Sequence, residues 1–213
     1  FDEPVKSDAS VTVTFETGTT DGTATIVAWG NLTNYKSGTY TVGAGEETDR
    51  LNIKSITTGG NITDEAGNVM SGADFDIDGG GNLTNVANIT VDGIVPTISS
   101  VTSTSGSPGY YSTGEDVNIT VNFSEELILN QGKLVVTLET GTPDRTVEIG
   151  FADIDEVTTV AGPYTVVLGD KNLTGLSSTL SITGGGTLSD VAGNELTNLD
   201  IPTNLLAGGY QLY

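Results

Sequence analysis

Residues 117–123 read Val-Asn-Ile-Thr-Val-Asn-Phe. Val117, Ile119, Val121 and Phe123 alternate with Asn118, Thr120 and Asn122, the period-2 pattern of a strand with one face in a core and one in water. The same alternation occurs at Val11, Val13 and Phe15, at Leu134, Val136 and Leu138, and at Leu180 and Ile182. Thr and Val, both strand-favouring, are abundant. Glycine clusters such as Gly59-Gly60, Gly79-Gly80-Gly81 and Gly184-Gly185-Gly186 separate the runs. No window carries a sustained helical stripe, so the chain is expected to be all-β.

Around these strands the sequence repeats itself. VTVTFETGTTDGTATI (11–26) matches LVVTLETGTPDRTVEI (134–149), and Tyr40-Thr41-Val42 matches Tyr164-Thr165-Val166. ITTGGNITDEAGN (56–68) matches ITGGGTLSDVAGN (182–194), and FDEP at Phe1 matches FSEE at Phe123. The offsets are 123, 124, 126 and 122 positions, one drifting period. A period of that size means two copies of an ordinary domain rather than a short-repeat solenoid. Several short strands per copy, divided by turns, indicate two tandem immunoglobulin-like β-sandwich modules. The expected boundaries are residues 1–93, a short linker at 94–97 stiffened by Pro96, and residues 98–213. The second copy has room for a first strand at 98–104, a second at 117–123 and a last near 211–213. The first copy starts at the residue matching Phe123 and is expected to lack both opening strands. Either it is cut from a longer array, or a neighbour supplies the strands.

Composition narrows the chemistry. The 213 residues include no Cys and no His, and 28 acidic side chains against 7 basic ones give a formal charge of -21. A thiol nucleophile, a Ser-His-Asp triad, a His base and an ordinary zinc, copper or haem site are therefore excluded. Nucleic acid would be repelled. Lack of disulfides does not assign the compartment. No apolar run approaches the about 18 residues of a membrane-spanning helix. The chain opens at Phe1 without Met or signal peptide and reads as a processed product or a piece of something larger.

In order along the chain stand Pro96-Thr97-Ile98, VNFSEEL (121–127), Tyr164-Thr165-Val166 and SDVAGNEL (189–196), with FDEPV and TDEAGNVM in the matching places of the first copy. This order resembles the bacterial Ig-like repeat domains of large surface proteins, adhesins and S-layer proteins. The resemblance covers nearly the whole chain, although each motif is short. It implies a non-catalytic, extracellular stalk or spacer flanked by further Ig-like modules, often stiffened by calcium near the junctions. By the same resemblance, the FSE glutamate falls on Glu3 and Glu125, the DxAGN aspartate on Asp64 and Asp190, and the aspartate before the linker proline on Asp92. Asp2 departs from the family's Ser, and the second copy ends before any equivalent of Asp92.

Calcium suits such oxygen donors. DEAGN can instead be a plain turn, in which Asp64 bonds its own backbone, Gly67 supplies a positive φ and Asn68 caps the bend. Glu3 and Asp92 would favour a metal if the sandwich brought them to the same end. A second candidate is Asp74-Phe75-Asp76-Ile77-Asp78-Gly79, whose alternate carboxylates and sixth-place glycine match the start of a calcium loop. Its twelfth position is Asn85 rather than Glu, so an EF-hand is not expected. The same run also reads as a strand with Phe75 and Ile77 facing in.

Asn-X-Ser/Thr sequons at Asn31, Asn61, Asn82, Asn88, Asn118, Asn122 and Asn172 allow N-glycosylation, or mark solvent-facing strands of a Thr-rich protein. Carboxylates repeated in both copies fit structure better than a unique catalytic cleft, so no enzyme is expected. Two other functions stay open: a self-assembling subunit of a filament, sheath or S-layer, homopolymerised by strand sharing, and a carbohydrate-binding module using Tyr35, Tyr40, Tyr110 and Tyr111.

Overall fold

The structure is a computed structural model, and it describes residues 1–70, 75, 77, 83, 87–105, 109–171, 179–202 and 211–212. It is all-β, and no α-helix occurs among the described residues. None is long and apolar enough to cross a membrane. The chain divides into two compact units, Phe1–Ile94 and Val95–Tyr213.

The first unit contains β1 (Val5–Ser7), β2 (Val11–Glu16), β3 (Thr23–Ile26), β4 (Trp29–Thr33), β5 (Glu47–Thr48), β6 (Asn52–Thr58), β7 (Ile62–Asp64) and β8 (Val91–Asp92). They form sheets ordered β4-β1-β7 and β3-β2-β6, with β5 and β8 as a separate pair, all antiparallel. Val5, Val11, Trp29 and Ile62 make one core cluster; Phe15, Ala24, Leu51 and Val91 make another.

The second unit contains β9 (Ile98–Ser103), β10 (Tyr110–Tyr111), β11 (Asp116–Leu129), β12 (Lys133–Leu138), β13 (Arg145–Gly150), β14 (Val157–Thr165), β15 (Ser181–Thr183), β16 (Leu188–Asp190) and β17 (Gln211–Leu212). Its sheets run β14-β11-β16, with β9 also on β11, and β13-β12-β15, while β10 and β17 pair in parallel. Inward side chains of both larger sheets meet in one cluster, from Val117, Ile119 and Val121 to Leu134, Leu138 and Ile149. Burying each such side chain contributes about 1.5–3 kcal/mol.

The two units repeat one plan. The order β4-β1-β7 with β3-β2-β6 matches β14-β11-β16 with β13-β12-β15, although by the repeat β4 aligns with residues 153–157 and so meets β14 only at its first residue. The opening alternation lies on β11, which runs through 14 residues and is longer than its periodic part. One detail differs from that pattern: Thr120 is buried, although its neighbours mark it as outward. Here β11 is flanked by both β9 and β14, and the outer face is closed by cross-strand polar pairs. Asn118 donates to Thr104, and Asn122 donates to Ser100 while accepting from Thr159.

Candidate functional site: carboxylate turns and tyrosine latches

Each unit folds its D-x-A-G-N stretch into the same closed turn. In the first, the Asn68 backbone N–H donates to Asp64 Oδ1 at 2.8 Å and its amide donates to Oδ2 at 2.6 Å. Asp64 N–H returns a bond to the Asn68 carbonyl at 3.1 Å. In the second, Asn194 donates to Asp190 through the same two groups, both at 2.8 Å. Gly67 and Gly193 stand at φ +90° and +96°, the left-handed conformation that a side chain would strain. The sequence pattern therefore makes a bend in which Asn holds both oxygens of Asp. Hydrogen bonding from the Asn68 side chain holds the Asp64 carboxyl below its ordinary value, against the opposing effect of burial.

Around these turns lie the other acidic candidates. Asp2, Glu3, Asp64 and Asn68, together with Phe1, Val5, Val69 and Met70, line a depression of about 600 Å³. In the second unit, Glu125 and Asp190 present carboxylate oxygens within 4.8 Å of each other. Asp190 is buried and Glu125 half-buried. Two like charges at that distance repel, and a hard cation taking six to eight oxygens could relieve them with help from backbone and water. Asp92 lies on β8 opposite Glu47 and accepts from the Ile94 N–H at 3.0 Å. It does not line the depression that holds Glu3 and Asp64. Asp74, Asp76, Asp78 and Asn85 lie outside the described residues, as do Asn82 and Asn172. Phe75 packs on the Val5–Trp29 cluster. Of the other sequon asparagines, Asn31, Asn61 and Asn88 are exposed, whereas the Asn118 and Asn122 amides donate within the sheet.

A second repeated device was missed in the sequence. Tyr40 O–H donates to Glu46, which also accepts from the Gly43 N–H at 2.9 Å. Tyr164 O–H donates to Asp170, which accepts from the Val167 N–H at 2.8 Å and from Arg145 Nε at 2.8 Å. The signal was legible: in both copies a carboxylate follows the Tyr-Thr-Val tyrosine by six positions. Burial, then the bond and charge of Glu46, push the Tyr40 phenol up to about 12. Burial and Asp170 likewise raise Tyr164. For Asp170, burial alone would raise the carboxyl, but the bonds from Tyr164, Val167 and Arg145 prevail and lower it.

The aromatic candidates are mixed. Trp29 is core, donating to the Val5 carbonyl at 2.9 Å. Tyr35 and Tyr110 are exposed, and Tyr111 packs against the second core. No known protein family, curated protein or solved structure matches this chain.

Proposed function

We propose that this chain is a pair of immunoglobulin-like β-sandwich modules serving as a non-catalytic, extracellular spacer in a larger surface or adhesion protein. One observation carries the reading: both units repeat the same sheet order, the same Asp-Asn turn and the same tyrosine-carboxylate latch. The conspicuous polar chemistry is thus duplicated and fastens backbone, as a repeated mechanical unit requires. Calcium bound at Glu125 and Asp190 would neutralise two close carboxylates in a strongly acidic chain, and is proposed as the stiffening ion. The second reading is a self-assembling subunit of a filament, sheath or S-layer.

Analytical ultracentrifugation in millimolar calcium tests the choice. A single monomeric species at every concentration supports the spacer. Concentration-dependent growth into large species would replace it with an assembly subunit. A melting temperature identical in calcium and chelator would remove calcium from the account.

A further inference from the structure

The Asn31 and Asn61 sequons both belong to the sheet β4-β1-β7. Between the pairs Ser7–Trp29 and Val5–Thr33, β4 sets Gly30, Asn31 and Leu32 against the single Lys6 of β1. The ladder bulges there, and all three β4 residues are exposed. A Cβ added to Gly30 would meet nothing within 4 Å, so the space beside Asn31 is open. Asn61 comes just before β7. The next residue, Ile62, is buried, so alternation turns Asn61 and Thr63 to the outer face. Asn61, Thr63 and Gly30 line one surface depression of about 250 Å³. The amide and the hydroxyl of the Asn61 sequon therefore open onto the same free space.

The duplication shows that the fold does not need asparagine at position 61. By the repeat, Asn61 matches Thr187 and Asp8 matches Asn130. Both units close the same backbone bond: Asn61 N–H donates to Asp8 Oδ1 at 2.7 Å, and Thr187 N–H donates to Asn130 Oδ1 at 2.9 Å. Thr187 also commits its hydroxyl, which accepts from the Asn130 amide at 2.7 Å. The side-chain amides of Asn61 and Asn31 have no hydrogen-bond partner among the described residues. Asn118 and Asn122 differ, because their amides are spent across the sheet on Thr104 and Ser100. Thr120, whose hydroxyl completes the Asn118 sequon, is buried, and the Ser124 hydroxyl of the Asn122 sequon accepts from the Thr97 N–H at 2.9 Å.

We propose that Asn31 and Asn61 carry N-linked oligosaccharides and that Asn118 and Asn122 do not. Asn88 is exposed but lies in no strand, and the inference is confined to the sheets. The donor is an oligosaccharide on a lipid pyrophosphate. Asn Nδ2 bonds to the anomeric carbon, and the bond from that carbon to the pyrophosphate oxygen breaks. The lipid pyrophosphate leaves with that electron pair, and the amide proton passes to a base of the transferase. The attached sugars cover the outer face of β4-β1-β7 with hydrated bulk. The inference holds for a spacer and for an assembly subunit alike, since it needs only that the chain meet a transferase.

The test uses protein purified from the cells that make it, cut by a protease specific for glutamate. Residues 17–46 then hold Asn31 as their only sequon, residues 48–65 hold Asn61, and residues 116–125 hold Asn118 and Asn122. Electron-transfer fragmentation in a mass spectrometer leaves a sugar on its asparagine and so reads each site. Glycan mass is expected on Asn31 and Asn61 and none on Asn118 or Asn122. A bare Asn31 or Asn61, or sugar on Asn118 or Asn122, would overturn the proposal. In the same cells, Asn31→Gln and Asn61→Thr should each lower the intact mass by one glycan. The second of these installs the residue that the other unit already carries at the matching position, so the variant should fold. An intact mass that keeps its glycan in either variant would equally overturn the assignment.

Discussion

Replacing Tyr164 by Phe removes one hydroxyl and leaves the ring in the core. Its partner Asp170 has a side chain only 2 % exposed, so water cannot replace the lost donor well. A hydrogen bond to a charged group contributes about 1.5–3 kcal/mol, and a loss of about 2 kcal/mol is expected. The second unit has about 120 residues, and at about 2.1 cal/mol/K per residue its unfolding entropy is near 0.25 kcal/mol/K. The melting temperature should therefore fall by about 8 °C. Trp29, the sole tryptophan, lies in the first unit, so its fluorescence follows that unit while far-ultraviolet circular dichroism follows both. The mutation should shift the dichroism transition and leave the tryptophan transition in place. The pH profile adds a sign. Tyr164 is raised in the folded state, so its contribution is complete below about pH 10, the unfolded value, and is lost as pH rises toward the folded one. Asp170 is lowered, so its contribution is complete above about pH 4 and is lost on acidification. The gap between wild type and Tyr164→Phe should be level through neutrality and close in alkali. A gap under about 0.5 kcal/mol, or one unchanged well above pH 10, would refute the latch as a stabilising device.

Asp190→Ala leaves the Asn194 backbone N–H and amide without their acceptor, at about 1–3 kcal/mol for each group left buried. Calorimetry should show this loss in chelator as well as in calcium, and the calcium-dependent increment of wild type should vanish. Leu127→Ala empties a fully buried site and should cost about 2–5 kcal/mol by urea denaturation, again without moving the tryptophan signal. Gly132→Ala sets a Cβ 1.9 Å from the Thr183 carbonyl at a backbone φ of +79°; a loss of more than about 1 kcal/mol is expected from the same titration.

The period-2 runs identified the strands because a strand's side chains alternate between faces whatever the strand pairs with. Val117 and Val121 could be assigned to a core from their neighbours alone. The duplication was equally legible, since two copies of one sequence plan satisfy the same local rules. The D-x-A-G-N turn belongs in the same class: its bonds close within five residues, and its left-handed glycine carries a local signature. Thr120 was misjudged as outward because burial of a strand's outer face depends on what lies beside and above it.

Composition and local pattern thus determined that this chain is β throughout, built twice over, and equipped with oxygen donors and no thiol or imidazole. Tertiary structure decided which of those donors meet. Glu125 and Asp190 lie 65 positions apart, yet strand pairing brings their oxygens within 4.8 Å. Asp92, on β8, faces Glu47 and is not among the residues that line the depression shared by Glu3 and Asp64.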